Sequence, residues 1–286
     1  MRVERGKSIM RRSMWLNAAL LAAVIALAAF IHFKPAKDAP AEHPLSALKP
    51  AEIRSIRIER AGAQPILIER KQDSWIIASP FTARADDLRV RQMLEILEAR
   101  AANRLAAADL ARFELERPAV QVTVDGQSFG FGMVSPVTSE QYVLTSGAVY
   151  AVSPRYGAAL PAGAADLASR QLFGTGEIPI RIGLKTFTVE QRDGKWRQTP
   201  ATLDLSQDDF AHWVDDWRLA SALRVEPHAK QQPLVEIGVQ LKGGGTLILG
   251  LLAREPELVL ARADEKLQYH FRADAAKRLL SPPGTK

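Results

Sequence analysis

The sequence predicts an α+β fold: an N-terminal transmembrane helix, then two tandem repeats of antiparallel β-sheet, each packed with one main helix. Three observations carry this. An apolar run without Asp, Glu, Lys or Arg spans Trp15–Phe33. Short alternating segments joined by tight turns fill the rest of the chain. One order of elements then occurs twice, with "DSWIIASP" at Asp73–Pro80 and "DGKWRQTP" at Asp193–Pro200 at the same stage of each copy.

The apolar run comes first. As a helix, Trp15–Phe33 reaches about 28 Å, close to the bilayer core of about 30 Å. Trp15 and His32 sit at its ends, where polar-tipped rings tolerate the interface. Arg2, Arg5, Lys7, Arg11, Arg12 and Lys34 against Glu4 give residues 1–34 a net charge of +5, of the whole chain's +6. The remainder therefore carries 6 − 5 = +1. This distribution argues against nucleic-acid binding, which needs a basic face on the folded body. It fits the positive-inside rule, with the N-terminus cytoplasmic, the body periplasmic and the inner membrane as a partner through Trp15–Phe33. "ALA" at Ala26–Ala28 offers a competing reading as a signal-peptidase site. The apolar run continues past it to Phe33, which favours an uncleaved anchor. Residues 1–34 are thus read as tail and anchor.

Residues 35–51 hold Pro35, Pro40, Pro44 and Pro50 and few apolar side chains, and read as an extended linker. The first repeat is placed at 52–176. "IRSIRIE", "ILIER" and "WIIA" read as three strands. Val90, Met93, Leu94 and Leu97 form a helical stripe, and "AVQVTVD", "SFGFGM", "YVLTS" and "VYAVS" are further strands. The second repeat, 177–286, follows the same order. "IPIRIG", "FTVEQ" and "WRQT" precede a stripe of Phe210, Trp213, Val214 and Trp217, then "PLVEIGVQL", "TLILG", "LVLAR", "LQYHF" and a closing helix "RADAAKRLL". The register places Trp75 on Trp196, Met93 on Trp213 and Pro118 on Pro233. A one-residue slip would turn the Val120, Val122, Val124 face outward. Both Trp residues are expected to fill core sites.

The block "WIIASP…ADDLRVRQMLEILEAR…ADLARFELERPAVQVTV" resembles the bacterial domain of unknown function 4340 family. That resemblance implies a membrane anchor with an extracytoplasmic body, in some members associated with gliding-motility-type ABC transporters. Family members often carry Tyr-Gly-Leu where this chain has Phe113-Glu114-Leu115, so a local turn differs. The resemblance implies nothing about chemistry.

Chemical motifs are sparse. The chain has no cysteine, which excludes disulfides, thiolate nucleophiles and Cys-based metal sites. No P-loop, dinucleotide fingerprint, nucleophile elbow or HExxH occurs. Gly243-Gly244-Gly245 reads as a hairpin turn. His212, Asp215 and Asp216 share one helix face at metal-ligand spacing, but a solvated outer face opposite the apolar stripe explains them fully. His270 sits in a strand as a structural histidine. Trp196, Trp213 and Trp217 offer either a sugar or peptide platform or core packing. Asp86, Asp87, Asp208 and Asp209 lie at helix starts, where they compensate the dipole. No catalytic, cofactor-binding or metal site is assigned. The expectation is a non-enzymatic accessory or scaffold protein of an envelope transport or assembly system, with an envelope protein as partner. The alternatives are a periplasmic ligand-binding module with a groove between the repeats, and a cryptic hydrolase using the aspartates.

Overall fold

The computed structural model describes residues 42–201 and 205–285, with Leu21. The expected span Trp15–Phe33 and residues 35–41 of the linker therefore lie outside the described residues, apart from Leu21. Among the described residues no helix is long and apolar enough to cross a membrane. The chain divides into two units, Met1–Glu42 and His43–Lys286, and every strand named below belongs to the second.

The body is mixed α+β and mostly β. Its first half holds β1 (His43–Pro44), β2 (Ser55–Arg60), β3 (Ile66–Lys71), β4 (Ser74–Ser79), β5 (Ala83–Arg84), β6 (Arg100–Ala101), β7 (Arg104–Ala106), β8 (Val120–Val124), β9 (Gln127–Val134), β10 (Gln141–Thr145) and β11 (Ala148–Val152). Its helices are α1 (Asp87–Leu94) and α2 (Arg155–Ala158). The second half holds β12 (Pro179–Gly183), β13 (Thr188–Arg192), β14 (Lys195–Thr199), α3 (Gln207–Arg218), β15 (Arg224–Pro227), β16 (Val235–Leu241), β17 (Thr246–Ala253), β18 (Leu258–Arg262), β19 (Leu267–Phe271) and α4 (Ala273–Leu280).

The first sheet runs β5-β4-β3-β2-β8-β9-β10-β11-β7, and the second runs β14-β13-β12-β16-β17-β18-β19-β15. Strand for strand the order is the same, except that β5 has no counterpart among the described residues. In each half a three-strand meander is followed by a helix that carries the chain to the far edge strand, and a four-strand meander then fills the gap between. All the pairings are antiparallel, as hairpin connections require.

The registers correspond as well. Gln121 pairs with Gly130 and Glu236 with Gly250. An added Cβ at Gly130 would lie 3.1 Å from Pro118, and one at Gly250 would lie 3.1 Å from Pro233. Each glycine thus admits the proline that leads into the neighbouring strand. The N-terminus of α1 is capped by Asp86, whose carboxylate accepts from the N–H groups of Leu88 and Arg89. That of α3 is capped by Ser206 in a capping box with Asp209. The first residue of each helix also holds the Trp strand: Asp87 Oδ1 accepts from Trp75 N (3.3 Å), and Gln207 Oε1 from Trp196 N (2.7 Å). Ser79–Pro80 and Thr199–Pro200, which end those strands, are both cis.

Both helical stripes are buried: Val90, Met93, Leu94 and Leu97 in the first half, Phe210, Trp213, Val214 and Trp217 in the second. They join the inward residues of both sheets in one contiguous core. The indoles of Trp213 and Trp217 donate to the Ser281 and Leu279 carbonyls (2.9 and 3.0 Å), which fastens the end of α4 to α3. A buried indole without an acceptor would be costly, so these two bonds set where α4 lies.

The structure differs from the sequence reading in two places. The stretch read as a linker, 35–51, belongs to the body from His43 onward. β1 pairs with β6, Leu45 is buried, and its N–H reaches the Ala99 carbonyl. Pro44 is tolerated because the pairing is two residues long at a sheet margin. The same arrangement recurs before the second repeat: Gln171 bridges Ser221, and Leu172 N donates to Ala220 O (2.9 Å). Each repeat therefore starts with a short lead-in strand, near residues 43 and 170 rather than 52 and 177. The second difference is Trp196. Trp75 is 6 % exposed, whereas Trp196 is only partly buried against the core. Trp75 shares a cleft with residues 169–177, while Trp196 lies on β14, at the other end of the second sheet from β15.

Two measurements follow from these positions. In urea titrations of the full chain in detergent, Trp75→Ala is expected to cost about 3–5 kcal/mol and Trp196→Ala about 1–2 kcal/mol; equal losses would contradict the difference in burial. Glu114 is exposed, follows the 3-10 turn Leu110–Phe113 and has φ of +57°. Glu114→Gly removes the left-handed penalty of a side chain and is expected to raise stability by about 1 kcal/mol.

Candidate functional site

The most heavily charged buried site of the body lies where the two repeats join. Residues 167–172 run between the sheets and bond to both. On one side Asp86 N donates to Leu167 O (2.7 Å) and Ser169 N to Arg84 O (2.9 Å). On the other, Leu172 N donates to Ala220 O and Ala222 N to Arg170 O. Arg84, at the end of β5, extends across this segment. Its Nε donates to Glu265 Oε1 (2.6 Å), and its Nη2 donates to Glu265 Oε2 (3.3 Å), Gln171 O (2.9 Å) and Tyr269 Oη (3.3 Å).

Glu265 lies in the β18–β19 turn, only 6 % exposed, and also accepts from the Tyr269 hydroxyl. Arg262, at the end of β18, is 2 % exposed. It forks onto Glu177 through Nη1 (2.7 Å) and Nη2 (2.9 Å), donates to Asp264 Oδ2 (2.7 Å), and gives a further bond to Leu172 O (2.8 Å). Glu177 in turn accepts from Gly174 N (2.6 Å), which closes the turn leading into β12. Planar, two-pronged pairs of this kind are the strong form of ionic hydrogen bond.

The electrostatics follow from burial and pairing. Burial works to raise the Glu177 carboxyl, but hydrogen bonds from Arg262 and the Gly174 N–H outweigh it and hold the group below the usual carboxylate range. Burial first, then the neighbouring Glu265 charge, pushes the Tyr269 hydroxyl up, so it stays protonated and donates. Beside this network opens a cleft of about 520 Å³, lined by Asp73, Trp75, Arg84, Asp87, Phe173 and Glu177 among others.

The residues singled out from sequence fall elsewhere. His212, Asp215 and Asp216 border a separate cleft of about 540 Å³ between α3 and α4. Asp216 is paired with Arg278 (2.8 Å) and Asp215 with Arg218 (3.4 Å). Among the described residues no three His, Asp or Glu side chains are grouped to hold a metal ion. His270 is buried with every ring nitrogen occupied: Nδ1 meets Arg224 Nη2 (3.0 Å) and Glu257 (3.2 Å), and Nε2 meets Gln268 (3.0 Å) and Glu226 (3.4 Å). Trp213 and Trp217 pack edge to face at 6.0 Å inside the core, and Phe187 meets Trp213 at 5.7 Å with the rings tilted by 56°. Trp196, on the strand packed against the same helix, is only partly buried. Asp86, Asp87 and Asp209 are engaged as caps or strand contacts, and Asp208 stands in the first turn of α3.

Sequence reasoning missed Arg84, Glu177, Arg262, Glu265 and Tyr269. The pairs that tie the network together are distant along the chain, Arg262 and Glu177 by 85 residues and Arg84 and Glu265 by 181. One signal was present: in "LVLAR", Leu258, Leu260 and Arg262 share the inward face, so an arginine occupies a core-facing position.

Acid should loosen this junction. A carboxyl whose pKa is lowered by folding contributes stability above its unfolded value, about 4.3, and loses it as pH falls through the folded value. Stability of the full chain is therefore expected to be level from pH 7 to about 5 and to fall below about pH 4. Glu177→Gln is expected to flatten part of that acid limb while costing about 1–3 kcal/mol at pH 7, read from urea midpoints across pH. An unchanged acid limb would show that Glu177 does not carry it.

No curated protein and no solved structure matches this chain. A family match does exist, and it runs from Trp75 of β4 through the shared segment to Arg224, the first residue of β15, so Arg84 and Glu177 lie inside it while Arg262, Glu265 and Tyr269 lie beyond. Covering residues 75–224, just over half of the sequence, it is to the family described as Domain of unknown function (DUF4340), and the chain belongs to that family.

Proposed function

We propose that the chain is a non-enzymatic, membrane-anchored accessory or scaffold protein of the bacterial envelope. Trp15–Phe33 holds it in the inner membrane, and the body stands in the periplasm and engages a transport or assembly protein. The observation that carries this reading is the charge distribution. Five basic residues precede an uncharged apolar run of bilayer length, and a near-neutral folded body follows. The use of the body's carboxylates supports a structural role. Asp86 and Asp209 cap helices, and Glu177 and Glu265 hold the junction. A hydrolase would need two such groups facing a common substrate. Asp86 and Asp87 stand at the start of one helix and Asp208 and Asp209 at the start of another, each engaged or positioned by its own helix end.

The junction cleft favours one second reading, a ligand-binding module. Joins between similar halves are common binding places, and this one places Trp75 and Phe173 beside Asp73 and Asp87.

Two experiments decide. A reporter active only outside the cytoplasm is expected to work when fused after Lys286 and to fail when fused before Trp15; the reverse would overturn the orientation. Photo-crosslinkers placed over the body's surface in intact cells are expected to capture one envelope protein reproducibly. Capture of none, together with tight small-molecule binding that is lost on filling the cleft, would establish the second reading instead.

A further inference from the structure

The join between the repeats is chemically unlike its counterpart at the start of the first repeat. There the lead-in strand is held by neutral groups. Gln127 Nε2 donates to Leu45 O (3.0 Å) and Thr145 Oγ1 (2.9 Å), and Ser46 Oγ donates to Gln127 Oε1 (2.7 Å). The register places Thr145 where the second repeat has Arg262, because Phe131 and Leu251 pair with Val143 and Leu260. Leu172 O, the counterpart of Leu45 O, accepts from Arg262 instead. Charges replace neutral groups at the lead-in strand that must also hold a preceding repeat. Burying such charges is expensive, and apolar replacements of buried ion pairs are often as stable or more so. What a directional, forked pair supplies is one orientation.

We propose that Arg84 is a brace: it crosses the shared lead-in strand, fixes the angle between the two sheets, and makes the repeats a single rigid body. Arg84 is the member of the network that comes from the first sheet; Glu177, Arg262, Asp264, Glu265 and Tyr269 belong to the second repeat and its lead-in. Removing Arg84 leaves the others satisfied. Glu265 keeps the Tyr269 hydroxyl and stays 3.5 Å from Arg262 Nε, and Leu172 O keeps Arg262 Nη1. The second repeat therefore retains its own packing when the brace is cut. Movement then falls on the Gly174-Thr175-Gly176 turn and on the lead-in strand itself. The brace acts the same way whether the body serves as a scaffold or holds a ligand.

The chain has no cysteine, so two can be added cleanly as spin-label sites. Lys71, at the end of β3 in the first sheet, and Lys242, in the β16–β17 turn of the second, are both exposed and are changed to Cys. Pulsed dipolar spectroscopy on the labelled full chain in detergent is expected to give one narrow distance distribution. Arg84→Met is expected to broaden it at least twofold in width, with far-UV circular dichroism unchanged. Glu265→Gln keeps the volume and removes the charge, and is expected to broaden it as well; Arg84→Lys, which cannot fork, is expected to fall between. A distribution already broad in the parent chain, or one that stays narrow in both Arg84→Met and Glu265→Gln, overturns the proposal. So does global unfolding of both variants, since a brace sets orientation and leaves each half folded.

Discussion

The body depends on an extended segment that hydrogen-bonds on both of its edges. Residues 167–172 close the β5 edge of the first sheet and, at the same time, the margin of the second sheet before β15. Unpaired sheet edges invite association with other chains, and proteins either cover or blunt them. Here one segment covers two edges. Its side chains are used as well as its backbone, since Leu167, Ala168 and Leu172 all enter the common core. The halves are therefore copies in topology without being independent in energetics. A lone first half would expose the β5 edge, and a lone second half would lose the strand that runs into its lead-in along the other side. A unit of about 110 residues buries a smaller share of its surface than a body of twice that size, so a shared core favours keeping the copies together.

The charges at this segment answer a specific difficulty. Apolar packing is not directional, and a shared strand alone permits a range of twist between two sheets. A forked pair such as Arg262 on Glu177 has narrow geometry, and so does the Arg84–Glu265 contact that crosses the strand. Burial raises the cost of any other arrangement, because a displaced guanidinium would be left unpaired away from water. The first repeat, held only to its own lead-in, achieves the equivalent contact with Gln127, Ser46 and Thr145. One topological position thus carries two chemistries, and the difference follows what each lead-in must hold.

Much of this fold was legible in the sequence, and the reason is local. Alternation shows in segments such as "AVQVTV" and "LVEIGVQL". The helical stripes show at Val90, Met93, Leu94, Leu97 and again 120 residues later. Proline-led strands and cap residues complete the comparison. Comparing two copies of one pattern strengthened each assignment. What was not legible depends on distant partners. Nothing near Arg84 announces Glu265, and nothing near Pro44 announces that β1 pairs with β6. Composition suggested a linker at 35–51 because four prolines fall in it, while Leu45, the side chain that commits its second part to the core, is one residue among many. Trp196 was equally opaque. Its local pattern repeats that of Trp75, but burial depends on what the neighbouring repeat places over the ring, and β14 lies at the far end of its sheet from the join.

That asymmetry bears on how the body can work. The two sheets share one strand order, and the repeats differ most where they meet and where they end. Trp75 is closed in beside the join and Trp196 is half open at the far end; Arg262 replaces Thr145; β15 ends in Pro227 and carries the ion pairs of Arg224 with Glu226 and Glu257, whereas its counterpart β7 is exposed along its whole length. Charged side chains and proline are the usual means of blunting an edge. Both edges are blunted, β15 by its ion pairs and Pro227 and β7 by its three-residue length and Arg104, although β15 lies at the join end of its sheet and β7 at the end of its own sheet away from the join. The difference in their side chains therefore goes with where each edge lies relative to the join, as the differences at Trp75 and Arg262 do.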